Sequence, residues 1–144
     1  MKDFIIHEHQ IYEGAFYGAS AVLLIVAMLS DGQMKELMEV ANSFGLDCLI
    51  EVHDEADIER ALEAEAEIIG VNNRNLKTLQ VDLDHCQRMI KHIPVGKVIV
   101  AESGFKTKED IKRMQEAGAH AVLIGETFMR AQNIGDKIKE IMGA

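Results

Sequence analysis

The sequence has no tryptophan, a single proline and two cysteines, and aromatic residues make up only 5% of it. With so few breakers and no Gly/Ser/Pro-rich tract, no linker or second-domain boundary is expected, and residues 1–144 read as one domain. Cys48 and Cys86 lie in apolar or helical contexts without CxxC spacing. That excludes the common thiolate metal and redox motifs and points to reduced thiols in a reducing compartment. No apolar run approaches the roughly 20 residues that span a bilayer. Lys2-Asp3 leads straight into a strand-like run rather than a signal peptide, so a cytoplasmic protein with no membrane partner is expected. Positive charge is also in deficit: 15 Lys and Arg face 24 Asp and Glu, for a formal net charge of -9. With no basic cluster, a nucleic-acid partner is excluded. The six histidines show no metal-ligand spacing, and no metal site is expected.

What is present is regular. Hydrophobic residues at 48% and charged residues at 27% describe an ordinary globular chain. Phe4-Ile5-Ile6 is a short β-rich run, followed by helical spacing over 9–17. Ala21 to Val26 is a continuous apolar run, as in a strand buried on both faces. Ser30-Asp31 opens a helix that Gly45 ends. Cys48 to His53 is a third strand and Asp54 to Ala64 a third helix; Glu67 to Val71 is a fourth strand and Asp82 to Lys91 a fourth helix. Lys97 to Ala101 is a fifth strand, with a helix from Thr107 to about Gly118, and Ala121 to Ile124 is a sixth, with a last helix over 133–142.

Strict β-α alternation with apolar strands predicts a parallel sheet, because each crossover helix covers a sheet face. An open doubly wound sheet and a (βα) barrel both satisfy this pattern. No Gly-rich fingerprint follows the first strand, so the dinucleotide-binding signature is missing. A full eight-unit barrel takes about 250 residues. Six units of similar size give the expectation of a partial TIM-type barrel, two units short.

Polar residues gather where these strands end, and in parallel α/β proteins that is the ligand-binding end. Glu51 is the most informative. It is a carboxylate inside the apolar run Cys48-Leu49-Ile50-Glu51-Val52, and an ionised carboxylate in a core is costly unless it is paired, protonated or used. It is a candidate general base, or else the partner of Lys2 or Arg74. Lys2, beside the first strand, is a candidate acid or simply a solvated N-terminal lysine. Asn72 and Arg74 follow the fourth strand. Asn72 suits a substrate hydroxyl or carboxylate but is also a common turn former, and Arg74 could pair with Glu102. Ser103-Gly104 and Gly125-Glu126 each precede a helix, where glycine admits an anion close to the backbone. Two such turns on neighbouring strands point to a phosphorylated ligand.

Taken in order, Lys2-Asp3-Phe4-Ile5-Ile6, Leu23-Leu24-Ile25-Val26-Ala27, Glu51-Val52-His53-Asp54, Asn72-Asn73-Arg74-Asn75-Leu76, Glu102-Ser103-Gly104 and Leu123-Ile124-Gly125-Glu126 resemble indole-3-glycerol phosphate synthase. The resemblance covers nearly the whole chain and corresponds to the family's third to eighth βα units. It implies a carbon-carbon lyase of tryptophan biosynthesis. Such an enzyme closes the indole ring of 1-(2-carboxyphenylamino)-1-deoxyribulose 5-phosphate with decarboxylation and dehydration, and uses no metal or organic cofactor. It implies Lys2 as general acid and Glu51 as base in the dehydration. Asn72, Arg74, Glu102 and the aromatic Phe4 would contact the substrate, and Ser103, Gly104, Gly125 and Glu126 would take its phosphate, Glu126 through its backbone N–H. The family's first two units, with a glutamate, a second lysine and part of the phosphate site, have no counterpart here. The resemblance thus implies a truncated barrel with impaired activity, or alternatively a non-catalytic phosphate-binding or self-assembling module. Uncovered strand edges predict a homo-oligomer, with a dimer favoured, or else a rearranged six-strand sheet.

Overall fold

The computed structural model describes residues 1–143. Its elements are α1 (Glu8–Phe16), β1 (Ala21–Ile25), a 3-10 turn (Val26–Met28), α2 (Asp31–Ser43), β2 (Asp47–Val52), α3 (Glu55–Glu63), β3 (Ile68–Asn72), α4 (Leu83–Ile90), β4 (Val98–Glu102), α5 (Lys108–Ala117), β5 (Ala121–Leu123), α6 (Glu126–Met129) and α7 (Ile134–Met142). The five strands form one sheet in the order β1-β2-β3-β4-β5, with β1 and β5 at its two ends, so the sheet is not closed into a barrel. The chain divides into two compact units, Met1–Gly70 with Val95–Lys97 and Val71–Pro94 with Val98–Ala144.

The first unit is built on a parallel pair. β1 and β2 run in register from Ala21 opposite Asp47 to Ile25 opposite Glu51. Val22, Leu24, Ile50 and Val52, all at most 1% exposed, line one face of the pair, and Leu23 and Ile25, at most 4% exposed, lie on the other. Burying one such side chain contributes about 1.5–3 kcal/mol. Ser30 and Gln33 cap the start of α2 reciprocally, and Met34, Leu37 and Ala41 turn its apolar stripe inward. The Asp54 side chain accepts the Asp57 N–H and starts α3 immediately beyond β2. Arg60 of α3 reaches back to the loop after β1: it donates to Val26 O at 3.1 Å and Leu29 O at 2.6 Å and pairs with Asp31 at 2.6 Å.

One of the six expected strands is not formed. Lys2 to Ile6 is irregular, and only Met1 bonds to β1, its ammonium donating to Ala21 O and its carbonyl accepting the Leu23 N–H. Ile5 is buried while Phe4 and Ile6 are more than half exposed, so the run anchors by one side chain instead of a ladder. β propensity measures fit to a half-buried pleated surface, and here that surface is not provided.

In the second unit β4 pairs with β5 in parallel from Val100 opposite Ala121 to Glu102 opposite Leu123. His120 fixes the start of this pair. Its N–H donates to Ile99 O, and its Nδ1 accepts the Ile99 N–H at 3.0 Å. Thr107 and Asp110 form the capping box of α5, and Gly118 ends the helix at φ +106°, a left-handed cap that glycine suits. Phe105, Cys86, Ala101, Met114 and Ile141, each at most 1% exposed, form its core. The four-residue α6 goes unseen in the sequence, being too short for a periodicity and having no side-chain cap. Among the described residues no helix is long and apolar enough to cross a membrane.

Candidate active site

Each unit carries part of the expected residue set. In the first, Glu51 is the penultimate residue of β2, 3% exposed and paired beside Ile25 of β1. His53 and Asp54 then turn the chain into α3, with the His53 N–H donated to Asp57 at 3.0 Å. Glu51 therefore stands at the C-terminal end of a buried parallel strand. Lys2 and Phe4 lie on the irregular N-terminal segment and are both exposed. That segment is fastened by the Phe4 N–H to Asp3 and by Gln10 Nε2 donating to Phe4 O at 2.9 Å. Gln10 itself belongs to the capping box by which His7 starts α1.

In the second unit the polar strand exits are bonded to one another. Asn72 is 4% exposed, and its Oδ1 accepts the Arg74 N–H at 2.9 Å, closing the turn out of β3. Arg74 donates from Nη2 to Glu126 at 2.5 Å and from Nη1 to Leu79 O at 3.2 Å. Arg74 thus forms an ion pair with Glu126. Arg130 takes the other Glu126 oxygen from Nε at 2.9 Å. The Arg130 hydrogen bond, together with the charges of Arg130 and Arg74, holds the Glu126 carboxyl below its ordinary value. Glu102, the last residue of β4, is wholly buried. Burial, with the Glu102 charge nearby, pushes the Cys86 thiol up to about 12, so Cys86 remains protonated and inert.

Ser103 and Gly104 follow at φ +69° and +92°. A left-handed non-glycine residue costs roughly 1–2 kcal/mol, so this turn is held by its surroundings. Gly104 cannot be replaced without displacement, because a Cβ there would collide with the Val81 side chain and lie 3.2 Å from Leu83. Gly125 caps α6 and accepts the N–H groups of Phe128 and Met129. Thr127 Oγ1 donates to Phe105 O at 2.5 Å and ties α6 to the loop after β4.

Asn73, Arg130 and Thr127 escape sequence reasoning. Their partners are remote in the chain or lie on an unforeseen helix, and only the Asn-Asn-Arg cluster itself carries a signal. Asn75 likewise organises the following loop, its Oδ1 accepting the N–H groups of Lys77 and Thr78, and Arg74 bridges Val81 in antiparallel fashion. Among the described residues, no three His, Cys, Asp or Glu side chains are gathered to hold a metal.

The open parallel sheet with its alternating helices is a partial βα-barrel fold of the TIM type. Solved structures of that type superimpose on it. 3-Hexulose-6-phosphate synthase from Salmonella typhimurium does so with a TM-score of 0.79 at 16% identity, over 96% of this chain and 68% of that one. KGPDC from Streptococcus mutans gives 0.75 at 12% identity, over 94% and 66%. The chain belongs to the indole-3-glycerol phosphate synthase family, whose model matches residues 1–141. It is 55% identical over 139 residues to the indole-3-glycerol phosphate synthase of Acetivibrio thermocellus, covering 96% of this chain and 54% of that protein. It is 50% identical over 144 residues to that of Caldanaerobacter subterraneus subsp. tengcongensis, covering 99% and 56%. The chain thus spans about half the length of these relatives.

Proposed function

We propose that the chain serves tryptophan biosynthesis as part of an indole-3-glycerol phosphate synthase, a cytoplasmic lyase that closes the indole ring of 1-(2-carboxyphenylamino)-1-deoxyribulose 5-phosphate. The observation that carries this reading is Glu51, a carboxylate only 3% exposed, one residue from the end of β2. An acidic group placed there is shielded from bulk water, which strengthens its interaction with a developing positive charge. In ring closure the aryl carbon bearing the carboxylate bonds to the substrate ketone carbon, and the ketone oxygen takes up a proton. Loss of carbon dioxide then restores the aromatic ring. Departure of the new hydroxyl as water, with loss of a proton to a base, yields the indole. Lys2 is assigned the proton donor's role and Glu51 the base's.

The remaining residues bind. Arg74, oriented by Glu126 and Leu79 O, offers its other guanidinium hydrogens to an anionic group of the substrate. Asn72 shapes the turn that presents Arg74, and Phe4 supplies an exposed aromatic face. Ser103, Gly104 and the backbone N–H groups at Gly125 and Glu126 take the phosphate. Glu102, buried beneath the exit of β4, supports that turn.

The test is turnover by the purified chain, followed by fluorescence of the indole product. Glu51→Gln, nearly isosteric, is expected to lower it by about 10²-fold or more. Equal turnover in the variant would sink the assignment. Because the chain spans about half of its relatives, a second reading has support: a phosphate-binding portion that is not catalytic by itself. Phosphate binding without turnover would favour it. Exposed Met129, Ile134, Ile138 and Met142, the last three recurring along one side of α7, favour self-association into a dimer. A monomer by sedimentation at micromolar concentration would contradict that.

A further inference from the structure

We propose that Asn73 is a positioning residue for the substrate phosphate: by clamping Ser103 in its left-handed conformation it fixes the Ser103-Gly104 turn. This rests on the reading above in which that turn takes the phosphate. Asn73 follows β3 directly and is 2% exposed. Its side-chain amide works in two directions. Oδ1 accepts the Cys86 N–H of α4 at 3.0 Å, and Nδ2 donates to Ser103 O at 3.2 Å. The orientation of the amide is dictated by its neighbours, because a backbone N–H requires the oxygen and a carbonyl requires the NH₂. Its main chain is tied equally firmly. The Asn73 N–H donates to Glu102 O at 2.9 Å, and its carbonyl accepts the Asp82 N–H at 3.1 Å. One residue thus joins the exits of β3 and β4 to α4.

The turn it grips needs such a grip. Ser103 and Gly104 are consecutive residues at positive φ, and serine has no intrinsic preference for that region. The Ser103 N–H reaches Leu123 O at 3.4 Å, a long bond, while the shorter restraint lies on its carbonyl at Asn73. With that carbonyl released, Ser103 relaxes toward negative φ, and both its hydroxyl and the Gly104 N–H turn away from the phosphate. Aspartate cannot substitute. It keeps the acceptor for Cys86 N–H but sets a second acceptor against Ser103 O and brings negative charge toward an anion.

Asn73→Asp tests this in the full chain, with inorganic phosphate as the probe in calorimetric titration and amide hydrogen exchange at Ser103 as a second readout. The expected result is about tenfold weaker phosphate binding, as for loss of one well-placed buried hydrogen bond, together with faster exchange at Ser103. Cys86→Ala is the control. It opens a cavity beside the same helix and lowers Tm, yet should leave phosphate affinity within about twofold because the Ser103 clamp is untouched. If Asn73→Asp does not fold, Asn73→Ser replaces it, being neutral and too short to span to Ser103. Unchanged affinity in the Asn73 variant, an equal loss in the Cys86 control, or no phosphate binding by the parent chain each overturns the proposal. Unchanged exchange at Ser103 overturns the clamp itself. None of these outcomes touches Glu51, whose role is read from turnover.

Discussion

The paired strands β1 and β2 and the strand exits of the second unit are held by opposite kinds of force. In the pair, stability is aliphatic and non-directional: Val22, Leu24, Ile50 and Val52 are buried on one sheet face, Leu23 and Ile25 on the other, and the buried carboxyl of Glu51 lies on that second face beside Ile25. At the exits, Asn72, Asn73, Arg74, Glu126 and Thr127 bond to named backbone and side-chain atoms, and two successive residues have positive φ. Burial tolerates a swap of similar volume, whereas hydrogen-bond geometry does not tolerate a swap of similar chemistry. The first region supports the fold, and the second can be tuned only atom by atom.

That contrast can be broken at several points. Ile50→Ala should lower the unfolding free energy by about 2–5 kcal/mol, and Ile50→Val by only about 0.5–1.5 kcal/mol, read from urea midpoints. A similar loss for both would mean that β2 is not packed as described. Gly104→Ala changes one methyl yet should cost about 1–3 kcal/mol, since the new Cβ meets Val81 and the residue keeps φ +92°. If Gly104→Ala is neutral, the exits are softer than their bonds suggest.

A subtler effect follows from the thiols. Burial raises Cys48 to about 11 and Cys86 to about 12, from an ordinary value of 9.0. Each raised thiol contributes fully below pH 9, and that contribution drains away as pH climbs toward 11 and 12, because the unfolded thiols ionise first. Stability should therefore fall over that window and fall less in Cys86→Ala, measured by chemical denaturation at stepped pH. The smallest effect belongs to Glu126. Its carboxyl titrates below the ordinary glutamate value because of Arg130 and Arg74, so its ion pairs persist above that lowered value and are lost as pH falls through it. In Arg130→Ala the titration, followed by the side-chain carboxyl carbon resonance, should move upward toward normal. No movement would show that Arg130 does not hold Glu126.

Most of the fold is legible in the sequence because caps and apolar periodicity are local. Ser30, Asp54 and Thr107 each announce a helix that forms, and the apolar runs at 21–26 and 48–53 both become strands, within a residue of the expected bounds. The run Phe4-Ile5-Ile6 shows the limit. Its residues favour a strand, but the hydrogen bonds to β1 come from Met1, ahead of the run. The site is less legible. Glu51 betrays itself by being charged in an apolar run, and Gly104 by preceding a helix. Asn73 looks like one polar residue among several, since its partners Cys86 and Ser103 lie 13 and 30 residues away. Glu126 is expected to act through its backbone, and only the three-dimensional arrangement gives its side chain the task of orienting Arg74.

Arg60 carries a consequence for motion. Its guanidinium serves two carbonyls of the loop after β1 and the Asp31 carboxylate at the head of α2. A lysine there, with a single ammonium on a flexible stem, would not reproduce that fork. The loop and α3 are therefore expected to open together as one exchange unit, since fraying α3 uncovers the loop carbonyls at the same moment. Hydrogen exchange in Arg60→Lys should split that unit in two, with residues 26–31 exchanging on a faster clock than the rest of α3.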